Sequence, residues 1–600
     1  MDVGEVVAAL SVTQGVDKGP PAVLAGVRTM TSIVPHADHD PSLIPLKSAG
    51  HSGVQTALVD CLNPPSSALS KSLDVWRREL EFDINKTFIL DGVEFGFMIL
   101  DSNCTMPMTF SKNYRSVLVN DCEKVEAQIL KEIKLGRYIV VENPPHVISS
   151  LGAVPKKGTS KIRVIHDFSR PNGGINQFCF DTSVSYTSID TALRLIKPGA
   201  FLSKIDLSEA YRSVPINPKC YNFTGLHWQF SNSAVTTFLF DARLPFGSAK
   251  SCRVFQSLSD AIVRIMWNKG HTVCSYIDDF MVIADTELEC ESALVCLCNL
   301  VQDLGFTINW EKVALPAQKM TFLGIELDCL KRTMSLPEKK LLAVKELLVS
   351  WSLKVKCKKH DLQSLIGHLN WCSRVVRGGR TFTRNLINLL DKVKEPYHYV
   401  RISKAAKSDI GWWIVGLNKF HGYSPFNVDI PLPSAFFETD ACLVGGAGHC
   451  GTDWYYVSWE LDYPELPRDN INVLELQAVL VAAKRWGHLW TGSHIQVKSD
   501  NMASVAAVNN STSRSPALLK IIKELFWLSV QFNFRLSAKH IPGKFNLFSD
   551  KLSRLHDVYD ANFALFLLSG GSMYVCNCCN NMSYTVYLSL QRRWKEVLRS

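Results

Sequence analysis

Six hundred residues are too many for one hydrophobic core, so three or four domains are expected. With 46% apolar and 20% charged residues, the composition is that of an ordinary globular chain and excludes a disordered one. The net charge of +9 suits a polyanionic partner if the excess basic residues cluster.

The N-terminal MDVGEVVAAL has no basic region followed by an apolar block, so no secretory signal is expected. No apolar run approaches membrane-spanning length, FALFLL at 563–568 included, so no membrane association is expected. Eighteen cysteines without a framework suggest reduced thiols and an intracellular setting, cytoplasm or nucleus. Cys576, Cys578 and Cys579 lack a second ligand pair at zinc-finger spacing, which favours a structural or incidental role.

Residues 1–70 mix Pro, Gly, Ser and His without periodicity and read as weakly ordered. Residues 71–120 are globular in pattern but carry no interpretable motif. NDCEKVEAQILKEIKLG is helix-compatible, and KIRVIHDF at 161–168 reads as a strand. LSKIDLSEAYRSVPI reads as a strand followed by a short helical turn. RVFQSLSDAIVRIMW, 253–267, has helical apolar spacing and precedes the hairpin HTVCSYIDDFMVIAD. ESALVCLCNLVQDLG, 291–305, is a helix ending at Gly305. The order β-β-α-β-β-α predicts a sheet backed by helices.

Residues 335–430 are mostly helical and basic, with Lys354, Lys356, Lys358 and Lys359 before one helix and Arg374, Arg377, Arg380 and Arg384 along the next. Such runs are ordinarily solvated helix faces, but if the domains on either side handle nucleic acid a backbone grip is at least as favoured. The Pro-rich PFNVDIPLPS reads as a linker, after which the pattern is β-β-β-α-β-α-β.

Asp278 and Asp279 interrupt an apolar, β-prone run, where like charges are costly unless a cation or hydrogen bonds compensate. Asp206, at a strand end in KID, is a third acid. Three such carboxylates can hold two divalent ions about 3.5–4 Å apart, with Mg²⁺ favoured by oxygen ligands and phosphate substrates.

In order, KIDLSEAY, LPFGSAKSCRVFQ, YIDDF, LGFTINWEK and FLGIEL resemble the palm motifs of reverse transcriptases. The resemblance implies a multidomain α/β (α+β) protein, a right-hand polymerase with fingers and palm over 121–334 and a helical thumb or connection over 335–430. By that similarity Asp206, Asp278 and Asp279 are metal ligands, and Lys161 and Arg163 match basic residues on the triphosphate. Tyr211 matches the ring that excludes a 2′-hydroxyl, and Phe246 and Gly247 match the floor beneath the nascent base pair. Phe246 departs from the Gln of some retroviral enzymes. Gln256 matches a template-side residue and Lys312 a lysine that protonates pyrophosphate.

Over 431–556, Asp440, Glu475, Asp500 and Asp550 resemble the acidic series of ribonuclease H, again implying two Mg²⁺, with Mn²⁺ as a substitute. His540, ten residues before Asp550, matches a loop histidine that helps product leave. Cys442 stands in DAC where many relatives have DAS, a change of little consequence.

The segments VWRRELEF, GVEFGFMIL and LQSLIGHLNWCSRVVRGGRTFTRNLINLL are similar to DIRS-type retrotransposons, which pair the polymerase with a tyrosine recombinase. Within the tail at 557–600, SYTVYLSLQRRWKEVLRS resembles the start of a recombinase. The implied partners are an RNA template, a DNA primer, RNA–DNA hybrid and deoxynucleoside triphosphates. A domesticated, non-catalytic nucleic-acid-binding protein is the alternative; a cellular repair polymerase is disfavoured because the nuclease would be superfluous.

Overall fold

The computed structural model describes residues 66–101, 106–155, 162–170, 174–179, 182–393, 395, 398–426 and 432–557. The expectations for Lys161, for 1–65 and for the tail beyond 557 lie outside these residues. The described chain divides into two compact units, one of 66–323 with 328–330, the other of 324–327 with 331–557. Both mix helix and sheet, the class the sequence implies.

The first unit begins with helices α1 (Leu73–Glu79) and α2 (Lys86–Phe95). These are built into its core. Trp76 is fully buried and donates its indole N–H to Leu304 O at 3.0 Å, and Phe97 N–H donates to Pro215 O at 3.0 Å. Next come α3 (Cys122–Lys134) and strands β1 (Tyr138–Val141), β2 (Ser150–Pro155) and β3 (Ile162–Asp167). Strand β4 (Phe201–Ser208) runs into the one-turn helix α4 (Ala210–Ser213), as LSKIDLSEAYRSVPI predicts. The strands β5 (Gly225–Gln229) and β6 (Thr236–Asp241) form a hairpin.

Helix α5 (Ser251–Asn268) buries Val254, Phe255, Leu258, Ala261, Ile262, Ile265 and Met266, the i, i+3, i+4 face legible in the sequence. It leads to the hairpin β7 (Thr272–Tyr276) and β8 (Asp279–Ala284). Helix α6 (Glu287–Asp303) starts four residues earlier than its apolar pattern suggests, because Thr286 and Glu289 form a reciprocal capping box. Gly305 follows its end with φ +92°. Strand β9 (Thr307–Ile308) completes an antiparallel sheet of order β9-β4-β8-β7.

In the second unit, α7 (Glu338–Ser352) precedes β10 (Lys356–Lys358) and α8 (Lys359–Cys372). Then come α9 (Arg384–Leu390), β11 (Tyr399–Arg401) and α10 (Lys404–Lys419). Strands β10 and β11 pair as an antiparallel ribbon. Pro425, expected to open a linker, instead ends a strand Tyr423–Pro425 paired with Thr333–Ser335; residues 427–431 lie outside the described chain.

The remainder is a five-stranded sheet of β12 (Ala435–Ala441), β13 (Gly445–Cys450), β14 (Asp453–Ser458), β15 (His494–Ser499) and β16 (Arg535–His540), in order β14-β13-β12-β15-β16. The β12, β15 and β16 strands are parallel and the others antiparallel. Helix α11 (Ile471–Trp486) follows β14. Helix α12 (Met502–Asn510) follows β15 and was not expected; its residues are small or polar, and its start is fixed by Asn501 accepting Ser504 N–H. Helices α13 (Pro516–Gln531) and α14 (Leu547–Ser553) flank β16 in the chain.

The helical segment before this sheet packs on it directly. Phe382 stacks on Trp412 at 4.1 Å between centroids, and Phe526 of α13 meets both rings edge-on. Arg377 donates to Ser529 Oγ and Phe534 O, each at 2.9 Å.

Candidate active sites

In the first unit, β4 and β8 pair so that Asp206 lies directly opposite Asp279, and Leu207 N–H donates to Asp278 O at 3.1 Å. Directly opposed residues project from the same face of a sheet. The pairing therefore brings together three acids that are distant in the chain. Asp278 is pushed up to about 6 by burial first and then by the Asp206 charge. Asp279 is also raised, again chiefly by burial, while Lys204 opposes the rise.

A turn of unusual backbone holds Asp278 in place. Ile277, a β-branched residue, has φ +55°, a conformation that costs on the order of 1–3 kcal/mol. Two side chains of α5 brace it. Gln256 Oε1 accepts Ile277 N–H at 2.9 Å, and Ser259 Oγ donates to Ile277 O at 2.6 Å. Gln256, expected on the template side, is 2% exposed and spends its amide on Ile277 and Asp260.

A second strained residue, Glu209 (φ 49°), joins β4 to α4 and ion-pairs with Lys131 and Arg137. It turns the chain between Asp206 and Tyr211. The Tyr211 ring stacks on Phe255 at 5.1 Å and on Phe246 at 5.5 Å, and burial raises its hydroxyl pKa. Arg163 on β3 is exposed and sits over Phe246 at 4.9 Å. Gly247 has φ +119°, and a Cβ there would meet His166 O at 1.9 Å. This is the close backbone approach that only glycine allows. Asn176 fixes the same loop, donating to Gly247 O at 2.9 Å and accepting Ala249 N–H at 2.8 Å.

Lys312, matched in sequence to a lysine that protonates pyrophosphate, lies in the same pocket. Its ammonium lies 2.8 and 2.7 Å from the two Asp206 oxygens, with Asn309 also donating to Asp206 Oδ1 at 3.3 Å. A cation thus sits against one of the three carboxylates.

The second unit presents a tighter cluster. Asp440 on β12, Glu475 on α11 and Asp500 after β15 offer ligand oxygens within 4.8 Å of one another. Among the described residues it is the one group of three or more acidic, His or Cys side chains gathered this closely. Burial, then Asp440 and Asp500, push Glu475 up to about 9; burial first pushes Asp440 up to about 6. Glu475 Oε1 accepts Ala441 N–H at 3.3 Å, and its buried Oε2 has no hydrogen-bond partner. That orphaned oxygen and the crowded negative charge fit a hard divalent cation held by oxygen ligands.

Two residues the sequence did not single out orient Asp440. Ser553 Oγ donates to Oδ2 at 2.6 Å, and Asn546 Nδ2 donates to Oδ1 at 3.3 Å. Asp550 stands outside the close cluster and pairs with Arg554 at 3.0 Å. His540 ends β16 opposite Ser499 and is exposed.

Comparison with known proteins places a family on part of this architecture. Residues 154–327 match the family model described as reverse transcriptase (RNA-dependent DNA polymerase). This segment, which contains Asp206, Asp278 and Asp279, is a reverse transcriptase domain of the retroviral and retroelement type.

The similar proteins include an uncharacterized protein of Caenorhabditis elegans (26% identity over 44% of this chain and 19% of that protein). The Gag-Pol polyprotein of avian reticuloendotheliosis virus is 23% identical over 38% of this chain and 19% of its own length. Protein P of duck hepatitis B virus, Shanghai isolate, is 22% identical over 39% and 29% respectively. The matches thus span under a third of these relatives.

Similar solved structures include the foamy viral protease-reverse transcriptase with dsDNA (TM-score 0.45, 16% identity, 74% of this chain and 87% of that one). The same protein with an RNA/DNA hybrid gives a TM-score of 0.46 at 14% identity over 91% and 67%. No helix among the described residues is long and apolar enough to cross a membrane.

Proposed function

We propose that the chain is an RNA-directed DNA polymerase with ribonuclease H activity, acting in the replication of a DIRS-like retrotransposon. Its partners are then an RNA template, a DNA primer, their hybrid and deoxynucleoside triphosphates. The observation that carries the reading is the cross-strand register Asp206↔Asp279 with Asp278 in the adjoining turn, inside the segment matching the reverse transcriptase model.

Asp206, Asp278 and Asp279 would hold the divalent cations of the polymerase site, and Asp440, Glu475 and Asp500 those of the nuclease, with Asp550 beside them. Mg²⁺, when bound, lowers the pKa of the attacking hydroxyl or water and neutralises phosphate charge. The protein's own contribution is positioning. Tyr211, clamped between Phe246 and Phe255, is a rigid wall for the sugar of the incoming nucleotide, and Gly247 lets the backbone approach. Arg163, exposed over Phe246, is available to a triphosphate. In the nuclease, Ser553 and Asn546 fix the Asp440 carboxylate.

Primer extension on an RNA template with Mg²⁺ tests the first activity: Asp278→Asn should abolish synthesis while hybrid cleavage persists. Glu475→Gln should do the reverse. A folded, hybrid-binding protein with neither activity would defeat the proposal and favour a non-catalytic binding protein. The lineage is tested in genomic DNA, where an intact tyrosine recombinase frame should adjoin the coding sequence.

A further inference from the structure

The basic run beginning at Lys354 has a form that its sequence does not reveal. Lys356–Lys358 and Tyr399–Arg401 are paired as a two-stranded antiparallel ribbon, with Lys356 directly opposite Arg401 and Lys358 opposite Tyr399. Cys357 is 2% exposed and points inward, so by strand alternation Lys356 and Lys358 share the outward face with Tyr399 and Arg401. All four outward residues are exposed.

Like charges directly opposite one another destabilise a strand pair. No acidic side chain among the described residues forms an ion pair with Lys356, Lys358 or Arg401; nearby Asp361 pairs with His360 at 3.6 Å. Instead both ammonium groups gather over the Tyr399 ring, at 5.2 and 5.7 Å from its centroid. The arrangement concentrates positive charge on a narrow, pinned ridge. Such a ridge complements a regular polyanion.

We propose that this ribbon grips the sugar-phosphate backbone of an RNA–DNA hybrid. The proposal names a contact surface for the nucleic acid invoked under the proposed function, but it does not require either active site to work. Each phosphate neutralised by Lys or Arg releases condensed counterions, so affinity should fall with salt according to the number of ribbon contacts.

The test is hybrid binding by fluorescence anisotropy, in EDTA so that neither reaction proceeds, across a salt series. The triple variant Lys356→Gln, Lys358→Gln, Arg401→Gln should reduce the slope of log affinity against log salt by about 0.9 per charge removed, about 2.7 in all. A charge-matched control, Lys71→Gln, Lys134→Gln, Lys339→Gln, should change it by less than about 0.5 on the same basis. These are exposed lysines outside the two ribbon strands.

Equal slopes for wild type and ribbon variant, or an equal change in the control, would overturn the proposal. So would a larger loss of binding to anionic lipid vesicles than to hybrid, which would reassign the ridge to membranes. Failure of the polymerase reading would appear separately, as absent primer extension with the salt-dependent ribbon contact intact.

Discussion

The ammonium of Lys312 bridges both carboxylate oxygens of Asp206, at 2.8 and 2.7 Å. Lys312 is half exposed, so the pair contributes at most about 1 kcal/mol. It nonetheless occupies oxygens a divalent cation would need. Lys312→Met should therefore raise the affinity of this site for Mn²⁺ by about two- to fivefold, read by electron paramagnetic resonance on protein without nucleotide. Unchanged or weaker binding would show that the lysine does not compete.

Gln256 holds the strained Ile277 turn from beneath. Gln256→Ala leaves the Ile277 N–H without its buried partner and should lower stability to urea by about 1–3 kcal/mol. Ser259→Ala, which removes a donor and leaves a carbonyl with a second lone pair, should cost about 1 kcal/mol. Primer extension should fall more steeply than stability in Gln256→Ala, because Asp278 follows directly on the loosened turn. Full activity with reduced stability would limit Gln256 to a structural role.

Gly247→Ala places a methyl group against His166 O at an unfavourable φ. The loop carrying Phe246 must then move, taking with it the ring beneath Tyr211. We expect at least a tenfold loss of primer extension with an increased apparent KM for nucleotide, while cleavage of hybrid stays at the wild-type level.

His166 is completely enclosed, and burial holds its imidazole down to about 3. Its Nε2 lies 3.1 Å from the Tyr138 hydroxyl. The unfolded chain, with an ordinary histidine pKa of about 6.5, binds the proton that the folded chain refuses. The contribution of neutral His166 to stability is therefore complete above pH 6.5 and is lost as pH falls toward 3. In urea titrations between pH 6 and pH 4, wild type should lose up to about 1.4 kcal/mol per pH unit more than His166→Gln. Parallel pH profiles would contradict this assignment.

The acids were legible in the sequence because they lie within motifs that resemble reverse transcriptase and ribonuclease H, with Asp206 at a strand end, Asp278 and Asp279 in a hairpin turn and Glu475 near a helix start. The residues that orient them were not. Gln256 reads as one polar position on an amphipathic helix, and only the fold brings it to Ile277, 21 residues on. Ser553 and Asn546 reach Asp440 across more than a hundred residues, so no local spacing could reveal them. Helix α12 was missed because MASVAAVNN has little apolar contrast; its position is set by a cap and by contacts with β16, such as Asn509 with Ala538 at 2.8 Å.

The stack of Phe382, Trp412 and Phe526 joins the preceding helical segment to the five-stranded sheet unit through interlocked aromatic faces, supported by Arg377 reaching Ser529 and Phe534. Aromatic pairs of this kind contribute about 0.5–1.5 kcal/mol each beyond their buried area. The sheet unit excised at the proline-rich stretch would thus display bare rings to solvent and stick to itself. Transfer of this unit into another protein would have to carry the preceding helices along as a single heritable block.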